Sequence, residues 1–119
     1  MKGLKQFLQF NTGAFFDDKK ITVLNVEPYY AYVDGNKTDQ KLGTKINAII
    51  SSDNTKYSDD KIDNLFEKIS FKMPGIYDVD IKKMSRIKIT KFEKVVVYGQ
   101  YQNQLSIEIS KFEILKDNV

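Results

Sequence analysis

The stretch that decides the fold covers residues 85–115 and contains two alternating segments around a break. In order, it reads RIKIT at residues 86–90, VVVY at 95–98, GQYQN at 99–103 and LSIEI at 105–109. Alternation of polar and apolar residues predicts strands with one buried face, because successive side chains in a strand point to opposite faces. Glycine and asparagine in the break tolerate the backbone angles of a tight reversal. The stretch therefore predicts a β-hairpin.

The exposed side of this hairpin is predicted to carry cations and aromatic rings. Arg86, Lys88 and Tyr98 fall on the polar phase of the alternation, and Tyr101 lies in the break. A ligand with both negative charge and flat rings suits such a surface, and single-stranded nucleic acid has both.

Residues 19–33 predict a long first strand, because they are rich in β-branched and aromatic side chains. Pro28 in the middle cannot donate a ladder hydrogen bond, so it marks a bend, a bulge or an edge. A small barrel needs a long first strand that bends to pair with both halves of the sheet. The DGNK sequence at residues 34–37 predicts the turn that follows.

Two shorter strands are predicted next, at residues 42–50 and 65–73. Apolar residues of one phase form their inward face: Leu42, Ile46, Ala48, Ile50, Ile69, Phe71 and Met73. The opposite phase is polar and contains Lys45, Asn47, Lys68, Ser70 and Lys72. Residues 62–69 also fit helical spacing, so a short helix is the competing interpretation there.

Five strands with a connector after the third give the predicted architecture. Residues 75–84 alternate like a strand and are too short for a good helix, so we interpret them as a degenerate connector that closes the barrel. We predict an all-β fold, a five-stranded Greek-key barrel of the oligonucleotide-binding (OB) type, with an SH3-like barrel as the nearest rival. Phe71, Phe92 and Phe112 are expected in the core, which Ile114 and Leu115 complete.

With 119 residues the chain is expected to form one domain. An N-terminal segment at residues 1–18 precedes the barrel at 19–115, and a short tail follows at 116–119. The aromatic and apolar residues of the N-terminal segment fit either a short helix or a strand that Asn11-Thr12-Gly13 ends. This segment is interpreted as a cover for one end of the barrel, with a dimerisation arm as the alternative.

Composition excludes several kinds of chemistry. The chain has no cysteine and no histidine, which removes disulfides, thiol nucleophiles and the commonest general base and metal ligand. No apolar run approaches the length of a membrane span, and no signal peptide is evident, so a cytoplasmic protein is expected. The acidic clusters at residues 17–18, 59–60 and 78–80 fall in turn signals, where Asp is expected for local hydrogen bonding. We predict no enzyme, no metal and no cofactor, and keep a metal-dependent nuclease as the weakest alternative.

Positive charge is concentrated in one part of the chain. Residues 61–94 contain nine basic and five acidic residues, an excess of four, whereas residues 1–60 contain eight of each. Lys68, Lys72, Arg86 and Lys88 all fall on the exposed phase, with Lys45 as an expected neighbour on the second strand. Like charges clustered across strands destabilise a sheet, so this face is predicted to meet a polyanion. The predicted DNA-binding residues are Tyr32, Lys45, Lys68, Lys72, Arg86, Lys88, Tyr98 and Tyr101.

Three stretches resemble small single-stranded DNA-binding proteins of phages from low-GC Gram-positive bacteria, most closely the lactococcal phage type. They are VYGQYQNQLS at residues 97–106, KLGTK at 41–45 and NLFEK at 64–68. The resemblance implies an OB fold, binding of single strands without sequence preference, and a role in phage DNA replication or recombination in the host cytoplasm. It also implies dimers or larger homo-oligomers, and contacts with phage or host replication and recombination proteins. The KDNV sequence at residues 116–119 does not match the acidic tail by which bacterial housekeeping proteins of this kind recruit enzymes.

The main alternative function is a protein-interaction β-barrel, a structural or regulatory phage component that binds another chain through exposed strand edges and N-terminal aromatic residues. It predicts a partner complex that is insensitive to nucleic acid. Among nucleic acids, single strands are favoured, because the chain lacks a basic helix for the major groove.

Overall fold

The computed structural model describes residues 1, 12–17, 19–53, 64–98 and 104–115. These residues form one short helix and five strands. The helix is α1 (Thr12–Asp17), and the strands are β1 (Lys19–Val33), β2 (Asn36–Asp53), β3 (Lys68–Pro74), β4 (Arg86–Tyr98) and β5 (Gln104–Leu115). The protein is all-β, as the sequence predicts.

The five strands form one sheet in the order β1-β2-β3-β5-β4. Long β1 pairs with β2 along its length and also pairs with β4 through Ile21 and Thr22, so the strand pairings close into a ring. Neighbouring strands are antiparallel except β3 and β5, which are parallel and bring Lys72 beside Glu108. The β1–β2 ladder contains register shifts, and irregularities of this kind allow a long strand to bend.

The core lies inside this ring and is almost entirely aliphatic. Its buried members are Ile21, Val23, Ile46, Ala48, Ile50, Ile69, Phe71, Met73, Ile81, Ile87, Ile107 and Ile109. The predicted inward phase of β3 is confirmed, since its three apolar residues are all buried. Phe92 and Phe112 are partly buried and pack against this core.

The connector after β3 has no helix or strand over residues 76–82, as predicted. Ile81 is buried, and Ile76 and Val79 pack against the core from one side. The buried hydroxyl of Thr44 donates to the carbonyl oxygens of Ile76 at 2.7 Å and Tyr77 at 3.0 Å. This contact holds the connector against β2 and satisfies backbone acceptors that no ladder reaches.

The structure corrects four details of the interpretation of the sequence. Strand β2 begins at Asn36, directly after the turn, rather than at Leu42. Leu42 is exposed because the β1–β2 register shifts between Tyr29 and Tyr30, which moves it out of the inward phase. The prediction that Ile114 and Leu115 complete the core is wrong, since both are exposed beyond the last buried residue of β5. Strand β3 begins at Lys68 rather than at Leu65, because residues 64–67 are neither strand nor the competing helix and contain a turn at residues 65–66.

Helix α1 covers the core at the start of β1. It begins at Thr12, where the sequence predicted an element to end, and residues 2–11 lie outside the described part. The Phe16 ring stacks on Phe92 with ring centroids 5.1 Å apart and also lies 6.0 Å from Phe71. Within residues 12–17, the segment therefore packs on the core.

Candidate nucleic-acid interface

The outer face of β2 and β3 carries the polar residues that alternate with the core. Lys45 lies opposite Lys72, Asn47 lies opposite Ser70, and Ile49 lies opposite Lys68. Two lysines therefore face each other directly across neighbouring strands, an arrangement that costs free energy in a sheet. Gly43 permits this close strand pairing, because a Cβ at that position would overlap the carbonyl oxygen of Met73.

This face forms the floor of an open concavity of about 900 Å³, which we call the basic groove. The residues of β2 and β3 that line it include Lys45, Lys68, Ser70 and Lys72. Its far wall is the distal part of the β4–β5 hairpin, where Val97, Tyr98 and Leu105 line it. Tyr98 is about half exposed, so part of its ring surface is available to a ligand. A positively charged groove with an aromatic wall matches the general form of single-strand binding sites.

A hydrogen-bonded row of neutral side chains crosses this surface beside the lysine pair. Ser70 Oγ donates to Asn47 Oδ1 at 2.8 Å, and Asn47 Nδ2 donates to Asn25 Oδ1 at 2.7 Å. The row fixes the orientation of the Asn47 amide, because each of its two polar atoms has a defined partner. Ser70 and Asn25 thereby present polar atoms between the charged side chains of the face.

A second concavity of about 420 Å³ adjoins the basic groove, and the two share Lys45 and Lys72. It is lined by the tyrosine arm, which we define as Tyr29, Tyr30, Tyr32 and Lys37 at the end of the β1–β2 hairpin. The Lys37 ammonium lies 4.5 Å from the Tyr30 ring centroid, and the Lys72 ammonium lies 5.6 Å from that of Tyr29. Cations and rings are thus interleaved from the arm to the groove.

Two carboxylates lie at the edges of the lysine pair. Glu27 Oε1 is 3.6 Å from Lys45 Nζ, and Glu108 is the register neighbour of Lys72 on β5. Burial raises the pKa of Tyr29 above its ordinary value, and the negative charge of Glu108 raises it further. The two carboxylates, one beside each lysine, therefore offset part of the repulsion between Lys45 and Lys72. The Lys45–Glu27 pair is partly exposed to solvent, so a phosphate can compete for this lysine at little cost.

A buried ion pair fixes the end of the groove where α1 meets the sheet. Lys19 and Asp53 have fully buried side chains, with Nζ 3.4 Å from Oδ1. Lys19 Nζ also donates to the carbonyl oxygen of Phe15 at 2.9 Å, and Asp53 Oδ2 accepts from the backbone N–H of Asn64 at 2.8 Å. Phe15 and Asn64 both line the groove. The ion pair therefore holds two parts of its wall in place.

Five of the eight predicted site residues lie around these two concavities. Lys45, Lys68, Lys72 and Tyr98 line the basic groove, and Tyr32 of the tyrosine arm, which is mostly exposed, lines the second concavity. Their part in binding DNA stays a prediction, but the sequence placed them on a common surface. Tyr101 lies outside the described residues.

Arg86 and Lys88 lie elsewhere, on the first residues of β4. Arg86 is opposite Thr22 on β1 and Leu115 on β5, and Lys88 is opposite Glu113. Neither residue lines the basic groove or the second concavity. Lys88 therefore has a carboxylate for its cross-strand neighbour, and the structure does not bring these two cations together with the lysine pair.

Sequence reasoning missed several residues of this surface, chiefly Tyr29, Lys37, Asn47 and Ser70. Tyr29 and Lys37 belong to a ladder whose register is irregular, so their common face is not visible in either strand alone. Asn47 and Ser70 were placed on the exposed phase, and only the pairing of β2 with β3 shows that they are hydrogen-bonded. The available signal was the group of three tyrosines that precedes the 34–37 turn and the lysines at positions 37 and 41 that end and follow it.

In the part of the chain that the structure describes, no group of three or more acidic side chains is placed to hold a metal ion. No helix in that same part is long and apolar enough to cross a membrane. Comparisons of the chain with protein-family models, with curated proteins and with solved structures find no match. The resemblance to phage single-stranded DNA-binding proteins therefore stays a prediction.

Proposed function

We propose that this protein is a non-catalytic OB-fold protein that binds single-stranded DNA without sequence preference. The observation that carries the proposal is the Lys45–Lys72 cross-strand pair, which lies where two concavities with aromatic walls meet. Repulsion between these lysines is relieved when a phosphate binds between them. Rings on either side, Tyr98 and the tyrosine arm, offer stacking surfaces that any base can use.

The topology supports the OB assignment. A bent first strand that pairs with both β2 and β4, a parallel β3–β5 pair and a connector after β3 are all consistent with a five-stranded Greek-key barrel. In OB folds the face of strands 2 and 3, together with the loops after strands 1 and 4, binds oligonucleotides. The basic groove lies on the corresponding face here, and the tyrosine arm lies at the corresponding first loop.

The lysines and tyrosines around the two concavities favour binding without sequence preference. Lysines contact phosphates as point charges, and stacking on tyrosine accepts every base. The resemblance to phage proteins adds the biological process to the proposal, namely protection of single strands during phage replication or recombination.

The test is fluorescence anisotropy of a labelled oligonucleotide of about 16 nucleotides, near the upper length that one OB barrel covers. Protein is titrated at several salt concentrations, with unlabelled duplex as competitor. We expect tight binding that weakens steeply with salt and that duplex does not displace. Changing Lys45 and Lys72 together to Ala should reduce the salt slope by about 1.4, because each lost phosphate contact to a single strand removes about 0.7.

The matched control is a second cross-strand lysine pair, Lys91 and Lys111, which lines neither concavity. Changing both of these to Ala removes the same charge and should leave the salt slope unaltered. Lack of binding by the unaltered protein at low salt would contradict the proposal and favour a protein-interaction barrel. Equal effects of the two double variants would place the DNA somewhere other than the basic groove.

A further inference from the structure

Phe66 is an exposed aromatic residue with an unusual backbone conformation. Its φ angle is 65°, in the left-handed region that bulky side chains rarely adopt. Phe66 is 68% exposed, more than any other phenylalanine in the described part of the chain. A glycine would adopt this conformation without strain, and a polar residue would suit the exposure. Phenylalanine is therefore costly here on both counts.

Backbone hydrogen bonds on both sides hold this conformation. The N–H of Phe66 donates to the carbonyl oxygen of Ile50 at 2.7 Å, and the N–H of Ile50 donates back to Glu67 at 3.0 Å. The N–H of Glu67 donates to the carbonyl oxygen of Asn64 at 3.1 Å, and Asn64 is itself bound to the buried carboxylate of Asp53. The ring is thus presented to solvent by a well-fixed turn. Strained residues that the surrounding structure holds in this way cluster at ligand sites.

The turn lies at the rim of the basic groove. Asn64, Glu67 and Lys68, which flank Phe66 in the chain, all line the groove, as does its hydrogen-bond partner Ile50. Lys68 provides a phosphate-binding cation two residues away. Tyr98 lines the same groove from the β4–β5 hairpin. Rings and cations therefore alternate at this end of the surface as they do at the tyrosine arm.

We propose that Phe66 is a base-stacking residue of this site, an inference that rests on the proposed function and adds a contact to it. A base that leaves the groove beside Lys68 would stack on the exposed ring. The bound DNA strand thereby shields the Phe66 ring from water, and the left-handed turn holds the ring in position before the DNA binds. Stacking on a phenyl ring accepts any base, in keeping with binding that has no sequence preference.

The test compares Phe66→Gly with Met84→Gly. Met84 also has a left-handed φ, of 68°, and is 64% exposed. None of the residues 82–86 around it lines either concavity, whereas Asn64 and Glu67 beside Phe66 line the basic groove. Glycine relieves the same backbone strain at both sites, so neither variant should be less stable than the unaltered protein in denaturant unfolding. Phe66→Gly should weaken oligonucleotide binding by roughly 5- to 150-fold with an unchanged salt slope, because a ring is lost and a charge is not. Met84→Gly should bind as the unaltered protein does.

A second variant tests the contact directly. The chain contains no tryptophan, so Phe66→Trp introduces a single indole reporter. We expect this variant to keep its affinity for a thymidine oligonucleotide and its indole fluorescence to be quenched by stacking as the oligonucleotide saturates the site. Unquenched fluorescence at saturation, or full affinity of Phe66→Gly, would overturn the role of Phe66.

These outcomes separate the two proposals. If the unaltered protein binds and the Lys45→Ala, Lys72→Ala variant loses affinity while Phe66→Gly does not, the groove stands and the stacking role fails. If the unaltered protein binds no oligonucleotide at low salt, both proposals fail together.

Discussion

Two pairs of lysines face each other across neighbouring strands, and their surroundings differ. Lys45 and Lys72 occupy a regular stretch of the β2–β3 ladder, whereas Lys91 and Lys111 occupy a stretch of the β4–β5 ladder with register shifts on both sides. Each pair has an acid within 4 Å of one lysine, Glu27 at 3.6 Å from Lys45 and Glu93 at 3.5 Å from Lys91, and the first pair also has Glu108 as the register neighbour of Lys72. The first pair lies in two concavities, while the second lines neither.

The difference shows that like charge across a ladder is not by itself a sign of a ligand site. Low-dielectric walls around a concavity focus the field of its charges, whereas cations on a convex surface are screened by water and salt. The ring of Tyr29 lies beside Lys72, and no ring is found near Lys91 or Lys111 among the described contacts. We therefore propose that the first pair binds the ligand and that the second is solvated. The predictions below test that assignment.

The largest effect is expected from charge reversal. Lys72→Glu places a carboxylate in the groove and should lower affinity for single-stranded DNA by about 100-fold at low salt, because a phosphate contact is replaced by repulsion. The fold should tolerate the change, since attraction between the new carboxylate and Lys45 across the β2–β3 ladder offsets its repulsion from Glu108 on β5. Anisotropy titration measures the affinity, and thermal unfolding checks the fold.

Lys111→Glu is the control, because it makes the same change of charge on an exposed residue of the second pair. Its affinity should stay within about threefold of that of the unaltered protein, since the charge is screened over the intervening distance. Similar losses in both variants would mean that net charge rather than the groove governs binding.

A smaller effect is expected from the aromatic wall of the groove. Tyr98→Leu keeps apolar area but removes the ring, and should weaken binding by about 1 to 3 kcal/mol without altering the salt slope. Tyr98→Phe keeps the ring and should retain the affinity. If the leucine and phenylalanine variants bound equally well, Tyr98 would contribute apolar area and not stacking. Nearby aromatic rings would then no longer distinguish the first lysine pair from the second.

Much of this fold could be predicted from the sequence, because a strand with one buried face has apolar residues at every second position. The bounds of β1 agree with the structure, and β3 shows the predicted alternation, with Ile69, Phe71 and Met73 buried and Lys68 and Lys72 exposed. Residues 36–41 lack that signal. They pair with β1 beyond the core, so neither face is buried and no apolar period marks them as a strand.

The composition of the site was harder to predict than its strands. Which lysine faces which depends on register, and the bulges near Lys91 and Tyr30 shift it in ways that no local pattern fixes. Arg86 and Lys88 occupy the exposed phase, as Lys72 does. They nevertheless lie in another part of the sheet, because β4 is not a neighbour of β3 and its first residues pair with β1. Phase indicates which face of a strand a residue occupies, whereas a groove is made by the curvature of several strands.

The smallest effect, and the sharpest comparison, concerns an acid beside each lysine pair. Glu108 is the register neighbour of Lys72, and Glu108→Gln should raise affinity for single-stranded DNA by about two- to fivefold at low salt, since an interaction between partly exposed charges is worth about 1 kcal/mol or less. The same change should lower the pKa of Tyr29 towards its ordinary value, because the charge of Glu108 helps to raise it while burial, the larger cause, remains. NMR of ¹³C-labelled tyrosine during an alkaline titration measures that shift.

Glu93→Gln makes the same change beside Lys91. A hydrogen bond from Ser110, and then the charge of Lys91, lower the pKa of Glu93, so this carboxylate favours the folded state above its ordinary pKa and loses that contribution as pH falls through the lowered value. The glutamine variant should lose this small acid-sensitive part of the stability and keep its affinity for DNA. A rise in affinity in both variants would make the two lysine pairs equivalent to the ligand. A rise in Glu108→Gln alone, with the accompanying fall in the pKa of Tyr29, would locate the phosphate at the junction of the groove and the tyrosine arm.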